Sequence, residues 1–137
     1  MALGRVRIVV STDADIVAAR QAGRMLAEQV GCSATDATFI ATAISEVARN
    51  IVTYAGQGEV VIRPVPVDSD PQGAIEVVAS DDGPGIVDVD RAMEDGYSTR
   101  GGLGQGLPGA CRLMDEFQIT SAVGIGTTIV MRKWRTP

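Results

Sequence analysis

A carboxylate and a carboxamide stand one helical turn apart in Ser45-Glu46-Val47-Ala48-Arg49-Asn50. Glu46 and Asn50 are i,i+4 neighbours, so on a helix both side chains reach the same spot. They flank the apolar stripe of Phe39, Ile40, Ile44, Val47 and Ile51 rather than lying opposite it. Oxygen donors at the edge of a core could hold a hard cation such as Mg²⁺, which takes few ligands from protein. The carboxylate could also activate a hydroxyl. The same spacing is met as readily by a solvated glutamate and a surface asparagine.

Three glycine-bearing segments follow. Asp81-Asp82-Gly83-Pro84-Gly85 ends a strongly apolar stretch. An aspartate there can accept a hydrogen bond from an exocyclic amine such as that of adenine, and the glycines let backbone approach a flat ligand. Asp-Gly is also an ordinary turn dipeptide. Gly101-Gly102-Leu103-Gly104-Gln105-Gly106 precedes a helix that should begin near Leu107. Main-chain N–H groups at a helix start attract anions such as phosphates. A dinucleotide fingerprint would follow the first strand directly. This run follows a long polar loop instead, so that reading is discarded. Gly124-Ile125-Gly126-Thr127-Thr128 reads as a hairpin turn whose threonine hydroxyls could touch a ligand or Asp81.

Composition removes several chemistries. The 137 residues contain no histidine. That excludes Ser-His-Asp triads, imidazole bases, histidine metal sites and an autophosphorylated histidine. The only lysine is Lys133, near the end of the chain, so there is no P-loop. A net charge of −5 and 4% aromatics argue against a nucleic-acid partner. No apolar run approaches the ~20 residues of a membrane span. Met1 to Val10 lacks the features of a signal peptide. Cys32 and Cys111 form no CxxC and read as reduced thiols, which fits a cytoplasmic protein.

Residues 1–137 read as one domain. Arg5–Val10 alternates as a strand. Ser11, Thr12 and Asp13 can cap a helix to about Val30, with Ile16, Val17, Met25, Leu26 and Val30 inward and Gly31 as its C-cap. Ser33 and Asp36 resemble a capping box for a second helix running to about Tyr54. Strands are expected at Glu59–Val67 and Ala74–Ser80, joined by a polar turn over Asp68–Gly73. Pro64 and Pro66 argue for an edge position or an early end of the first of these. A short helix is expected between Val87 and Asp95. Pro108 opens a helix ending near Phe117, followed by strands Gln118–Ala122 and Thr127–Trp134. The fold class is α/β (α+β): a two-layer sandwich with a mixed, mostly antiparallel sheet and helices on one face.

The order and spacing of the four segments are similar to those of the GHKL ATPase superfamily, which includes the ATP domains of gyrase, MutL and histidine kinases. Glu46 and Asn50 resemble its N box, Asp81-x-Gly83-x-Gly85 its first glycine box, Gly102–Gly106 its second and Gly124–Thr128 its third. The resemblance spans nearly the whole chain and implies the Bergerat ATP-binding fold. Within the superfamily the chain looks most like the small bacterial serine/threonine kinases of partner-switching pathways, in particular the RsbT-type stressosome branch. Tyr97–Gly109 and Arg112-Leu113-Met114-Asp115-Glu116-Phe117 carry that likeness.

The resemblance implies ATP and Mg²⁺ as cofactors. Glu46 would be the general base, and Asn50 the Mg²⁺ ligand. Asp81 would bind the adenine amine, with Thr127 or Thr128 supporting the pocket. Gly102, Gly104 and Gly106 would cradle the phosphates. Gly83, Gly85, Ile86, Leu103, Gln105 and Leu107 complete the expected nucleotide contacts, and residues 87–101 would be the ATP lid. Gln105 stands where the superfamily usually has an apolar residue. Asp82 leaves open a slip of the adenine contact by one position, and Arg100 lies slightly N-terminal to the lid arginine of related kinases. Implied partners are STAS-domain antagonist and sensor scaffold proteins, and a PP2C-type phosphatase activated by the released chain. The alternatives are an anti-sigma factor with serine kinase activity, and a pseudokinase, against which Glu46 and Asn50 argue.

Overall fold

The computed structural model describes residues 4–86, 93 and 106–135. Apart from Met93, the expected lid and its short helix, together with Arg100, Gly102, Leu103, Gly104 and Gln105, lie outside the described residues.

The elements are β1 (Val6–Val10), α1 (Asp13–Gln29), α2 (Ala34–Asn50), a π-helical turn (Ile51–Ala55), β2 (Gly58–Val67), β3 (Asp70–Asp81), α3 (Gly106–Leu113), β4 (Glu116–Ala122) and β5 (Gly126–Trp134). The strands form one sheet in the order β1-β2-β3-β5-β4, and every pairing is antiparallel. One face packs beneath the helices, giving the two-layer sandwich expected. Val60, Ile62, Ile75, Val77, Ile129 and Met131 of the sheet share one core with Ile40, Ile44, Val47 and Ile51.

A capping box starts α1. Thr12 Oγ1 accepts the Asp15 N–H at 3.3 Å, and Asp15 Oδ2 accepts the Thr12 N–H at 3.1 Å. Ser33 Oγ starts α2 by accepting the Asp36 N–H at 3.0 Å. Gly31 between the helices has φ +91°, as a C-cap glycine should. The buried face of α1 is narrower than its sequence suggests. Ile16, Ala19, Gly23, Leu26 and Ala27 are buried, whereas Val17 and Met25 are 52% and 58% exposed. Small residues bring α1 close to α2, and a Cβ on Gly23 would stand 2.2 Å from Ile44 Cδ1. That approach turns Val17 and Met25 to solvent. Phe39 is only half-buried, and the Lys133 ammonium lies 5.4 Å from its ring centroid.

Other boundaries differ for local reasons. Chain reversal between β2 and β3 needs only Asp68 and Ser69, with Asp68 at φ +51°, a conformation aspartate tolerates. The proline-bearing half of β2 continues past β1, whose pairing ends at Val6–Ile62. β2 is thus internal over 58–62 and has no β1 partner over 63–67 among the described residues. Helix α3 stops at Leu113, and Phe117 belongs to β4. There Phe117, Ile119 and Ser121 alternate toward the helices.

On the opposite face, Arg63, Glu76, Arg132 and Glu116 form one cross-strand row. Glu76 is 4% exposed yet fully bonded. Arg63 Nε donates to Oε1 at 2.8 Å and Arg132 Nε to Oε2 at 2.9 Å. Burial pushes the Glu76 carboxyl up, but the bonds from Arg132 and Arg63 outweigh it and hold the group below its ordinary value.

Candidate functional site

The polar residues collect where one end of the sheet meets the end of α2. Cross-strand pairing places Val10, Gly58, Asp81, Thr127 and Ser121 in one row on the helix-facing side. Asp81 is the last residue of β3, and its Oδ1 accepts the Gly83 N–H at 2.8 Å. That bond turns the chain sharply and fixes the carboxylate. Asp82 is exposed and lies beyond the strand. Of the two carboxylates, Asp81 is the one on the helix-facing row.

Thr127 and Thr128 separate in the same way. Thr127 is 5% exposed and opposes Asp81. Thr128 is exposed and pairs with Ser80 on the other face. Successive strand residues point to opposite faces, so Thr127 lies on the helix-facing side and Thr128 on the other. Of the two expected threonines, Thr127 is the one that shares the row of Asp81.

Glu46 and Asn50 lie in the last two turns of α2. The Glu46 side chain is 18% exposed and its Oε1 takes the Arg49 Nη1 at 3.2 Å. Asn50 is half-buried and is the last α-helical residue. The chain then widens into the π turn, an irregularity common at functional sites. Gly56 closes it with φ +84° and donates its N–H to Ile51 O at 2.8 Å.

This turn packs directly on the aspartate loop. A Cβ on Gly83 would lie 2.5 Å from Ala55 Cβ. A Cβ on Gly58 would lie 2.4 Å from Ser80 O and 3.1 Å from Asp81 Cβ. Glycine is required at both for α2 and β3 to converge. Gly126 is tighter still. Its φ is +139°, and a Cβ would lie 2.1 Å from Asp81 O.

Gly85 and Ile86 are clipped to the β4–β5 hairpin. Gly124 N–H donates to Pro84 O at 2.8 Å, and the Ile86 N–H donates to Ser121 Oγ at 2.7 Å. Gly85 has φ +79°, and a Cβ there would lie 2.3 Å from Ala122 O. Gly106 opens α3 with φ +48°, and Leu107 is buried in the core. The structure therefore brings together Asp81, Gly83, Gly85, Ile86 and Thr127, and joins them to the end of α2 through Ala55.

Two contributors escaped the sequence reading. Ser121 was hidden in a strand, although the alternation from Phe117 through Ile119 marks it as inward. Gly126 belongs to the expected third glycine box, but its close approach to Asp81 O has no signal in the sequence. A depression of about 440 Å³ at the same sheet end includes Asp81 but opens past Arg7, Val9, Glu59 and Ser80, without Glu46, Asn50 or Thr127.

Among the described residues no group of three or more His, Cys, Asp or Glu could hold a metal ion by itself. The oxygen donors of Asn50 and Glu46 suit a hard cation that keeps most of its ligands from water or phosphate. The donor set therefore fits Mg²⁺ bound chiefly through a substrate.

Residues 9–133 match the family model of the histidine kinase-like ATPase domain. The chain belongs to that family. It is 52% identical over 125 residues to the serine/threonine-protein kinase RsbT of Bacillus subtilis, covering 91% of this chain and 92% of that protein. The chain is accordingly a serine/threonine-protein kinase of the RsbT type. It is also 34% identical to an anti-sigma F factor of Halalkalibacterium halodurans, covering 72% of this chain and 70% of the relative.

Among solved structures, a Mycobacterium tuberculosis protein with RsbU and RsbW domains matches with a TM-score of 0.69. That match has 19% identity and covers 98% of this chain and 34% of the other. The SiaB–SiaC complex of Pseudomonas aeruginosa matches with a TM-score of 0.57 and 14% identity, covering 96% of this chain and 89% of the other. Both likenesses concern the fold.

Proposed function

We propose that this chain transfers the γ-phosphoryl group of ATP, with Mg²⁺, to a serine or threonine of STAS-domain scaffold and antagonist proteins. Once released, it binds and activates a PP2C-type phosphatase. The observation that carries this reading is the junction of two chemistries at one sheet end. The Asp81–Thr127 pair offers a base-binding corner, and the π turn that follows Glu46 and Asn50 on α2 packs through Ala55 on the Gly83 loop beside that corner.

In this reading Asp81 accepts the adenine amine, its carboxylate held by the Gly83 N–H. Thr127 supports the corner, while Gly83, Gly85 and Ile86 shape the backbone around the base. Asn50 would hold Mg²⁺, whose charge would offset that of the phosphates. Gly106 and Leu107 continue the phosphate loop from Gly102, Leu103, Gly104 and Gln105, and Arg100 is assigned to the lid of 87–101. Glu46 accepts the proton of the attacking hydroxyl as its oxygen bonds to the γ-phosphorus. The bond to the β–γ bridging oxygen breaks and ADP leaves. Phosphoryl transfer is mainly positioning and electrostatics, so few residues suffice. Arg49, paired with Glu46, orients the carboxylate without covering it.

No helix among the described residues is long and apolar enough to cross a membrane. We place the kinase in the cytoplasm, where Cys32 and Cys111 remain thiols. Burial pushes the Cys32 thiol up and disfavours its reactive thiolate.

The test is a pull-down from native lysate with Mg²⁺-ATP, followed by phosphosite mapping of retained proteins. Phosphoserine or phosphothreonine on STAS-domain partners is expected. A co-purifying sigma subunit with one phosphorylated antagonist would instead establish the anti-sigma reading, which the 34% identity to an anti-sigma F factor supports.

A further inference from the structure

The Ser121 hydroxyl, on the same row as Asp81, is engaged on three sides. Its Oγ lies 2.7 Å from the Ile86 nitrogen, 3.2 Å from Gly126 O and 2.8 Å from Thr127 Oγ1. These three contacts come from the segment after Asp81 and from the third glycine segment. A serine hydroxyl has one proton and two acceptor positions. The Ile86 N–H can only donate, so it takes one acceptor position. The Gly126 carbonyl can only accept, so it takes the proton. Thr127 must then donate its own proton to the second acceptor position.

The consequence appears one strand away. With its proton committed to Ser121, Thr127 Oγ1 is left with acceptor positions only, and its cross-strand neighbour on β3 is Asp81. The Asp81 carboxylate is also an acceptor. The corner thus holds two acceptors side by side, and a ligand entering it must bring donors. A 6-amino purine brings an N–H pair to that edge, whereas a 6-oxo purine brings a carbonyl.

We propose that Ser121 is a positioning residue that fixes the proton direction of Thr127 and the path of Ile86, and so sets the preference of the site for a 6-amino over a 6-oxo purine nucleotide. This rests on the nucleotide reading given under Proposed function. Ser121 acts through Thr127 and Ile86 and is assigned no contact with the reacting atoms.

The experiment is calorimetric binding of ATP and GTP, each with Mg²⁺, to the full chain and to Ser121→Ala and Ser121→Thr. In the alanine variant Thr127 regains a free proton and can meet a carbonyl. ATP affinity is expected to fall about tenfold and the ATP-to-GTP ratio to narrow by about as much, as for loss of one buried hydrogen-bond network. Ser121→Thr keeps the hydroxyl and should restore the ratio. Ile86 amide exchange, read on the nucleotide-free chain, should speed up in Ser121→Ala alone. If the alanine variant does not fold, Ser121→Cys keeps the volume with a weaker donor and should narrow the ratio partway. An unchanged ratio in a folded variant overturns the role of Ser121 while leaving ATP binding intact. A wild-type chain that binds neither nucleotide overturns the nucleotide reading, and the inference with it.

Discussion

Asp81 and Thr127 oppose each other on β3 and β5, on the face of the sheet that meets the helices. Their neighbours, Asp82 and Thr128, are exposed. This separation turns an ambiguous pair of carboxylates and an ambiguous pair of threonines into one corner. Asp81→Asn should weaken ATP binding by roughly 10- to 100-fold, the range for losing a hydrogen bond to a charged group. Calorimetry on a variant with an unchanged circular dichroism spectrum checks this. Unchanged affinity would move the contact to Asp82.

The contact between the π turn and the aspartate loop yields a stability prediction. Gly83→Ala would push a methyl group to 2.5 Å from Ala55 Cβ and 2.9 Å from Ala55 Cα. Overpacking of this kind costs about 1–3 kcal/mol. Gly126→Ala should cost more, because the added Cβ meets the Asp81 carbonyl at 2.1 Å and φ is +139°. Thermal melts should rank wild type above Gly83→Ala and Gly83→Ala above Gly126→Ala. Adding Ala55→Gly should recover part of the Gly83→Ala loss and none of the Gly126→Ala loss.

Glu76 gives the protein an acid sensitivity remote from the proposed site. Its folded-state pKa is lowered, so its contribution is present above the unfolded value and is lost as pH falls through the folded value. The side chain is 5% exposed, but its partners Arg63 and Arg132 are 52% and 44% exposed. Solvent screening at the arginines lowers the cost of breaking the pair from the fully buried range to about 1–3 kcal/mol. Glu76→Gln should lose that much at about pH 7 in denaturant titrations. The gap should close as pH falls through the lowered folded-state value, where wild type is protonated too. A gap that persists in acid would remove the ion pairs from the explanation.

Much of this was legible in the chain. Alternating apolar residues marked four of the five strands closely, and capping residues at Thr12 and Ser33 set both long helices. The motif spacing singled out Glu46, Asn50 and Asp81 as candidates. What escaped depends on partners distant in sequence. Met25 looks inward until Gly23 lets Ile44 approach. Phe117 looks helical until β4 pairs with β5. Thr127 and Thr128 are indistinguishable until register assigns their faces, and Ser121 acquires meaning only through Ile86 and Thr127. The π turn at Ile51–Ala55 has no periodicity signal, since the apolar stripe simply runs on through Ile51.

In the proposed reaction Glu46 takes the proton from a partner hydroxyl. The most direct measurement compares wild type with Glu46→Ala in single-turnover transfer from Mg²⁺-ATP to a STAS-domain partner. ATP affinity is measured on both proteins in parallel. The expected result is ATP binding within about threefold of wild type and transfer slowed by about 10²- to 10⁴-fold, the usual contribution of a general base. Equal transfer by the two proteins, with equal ATP binding, would contradict it.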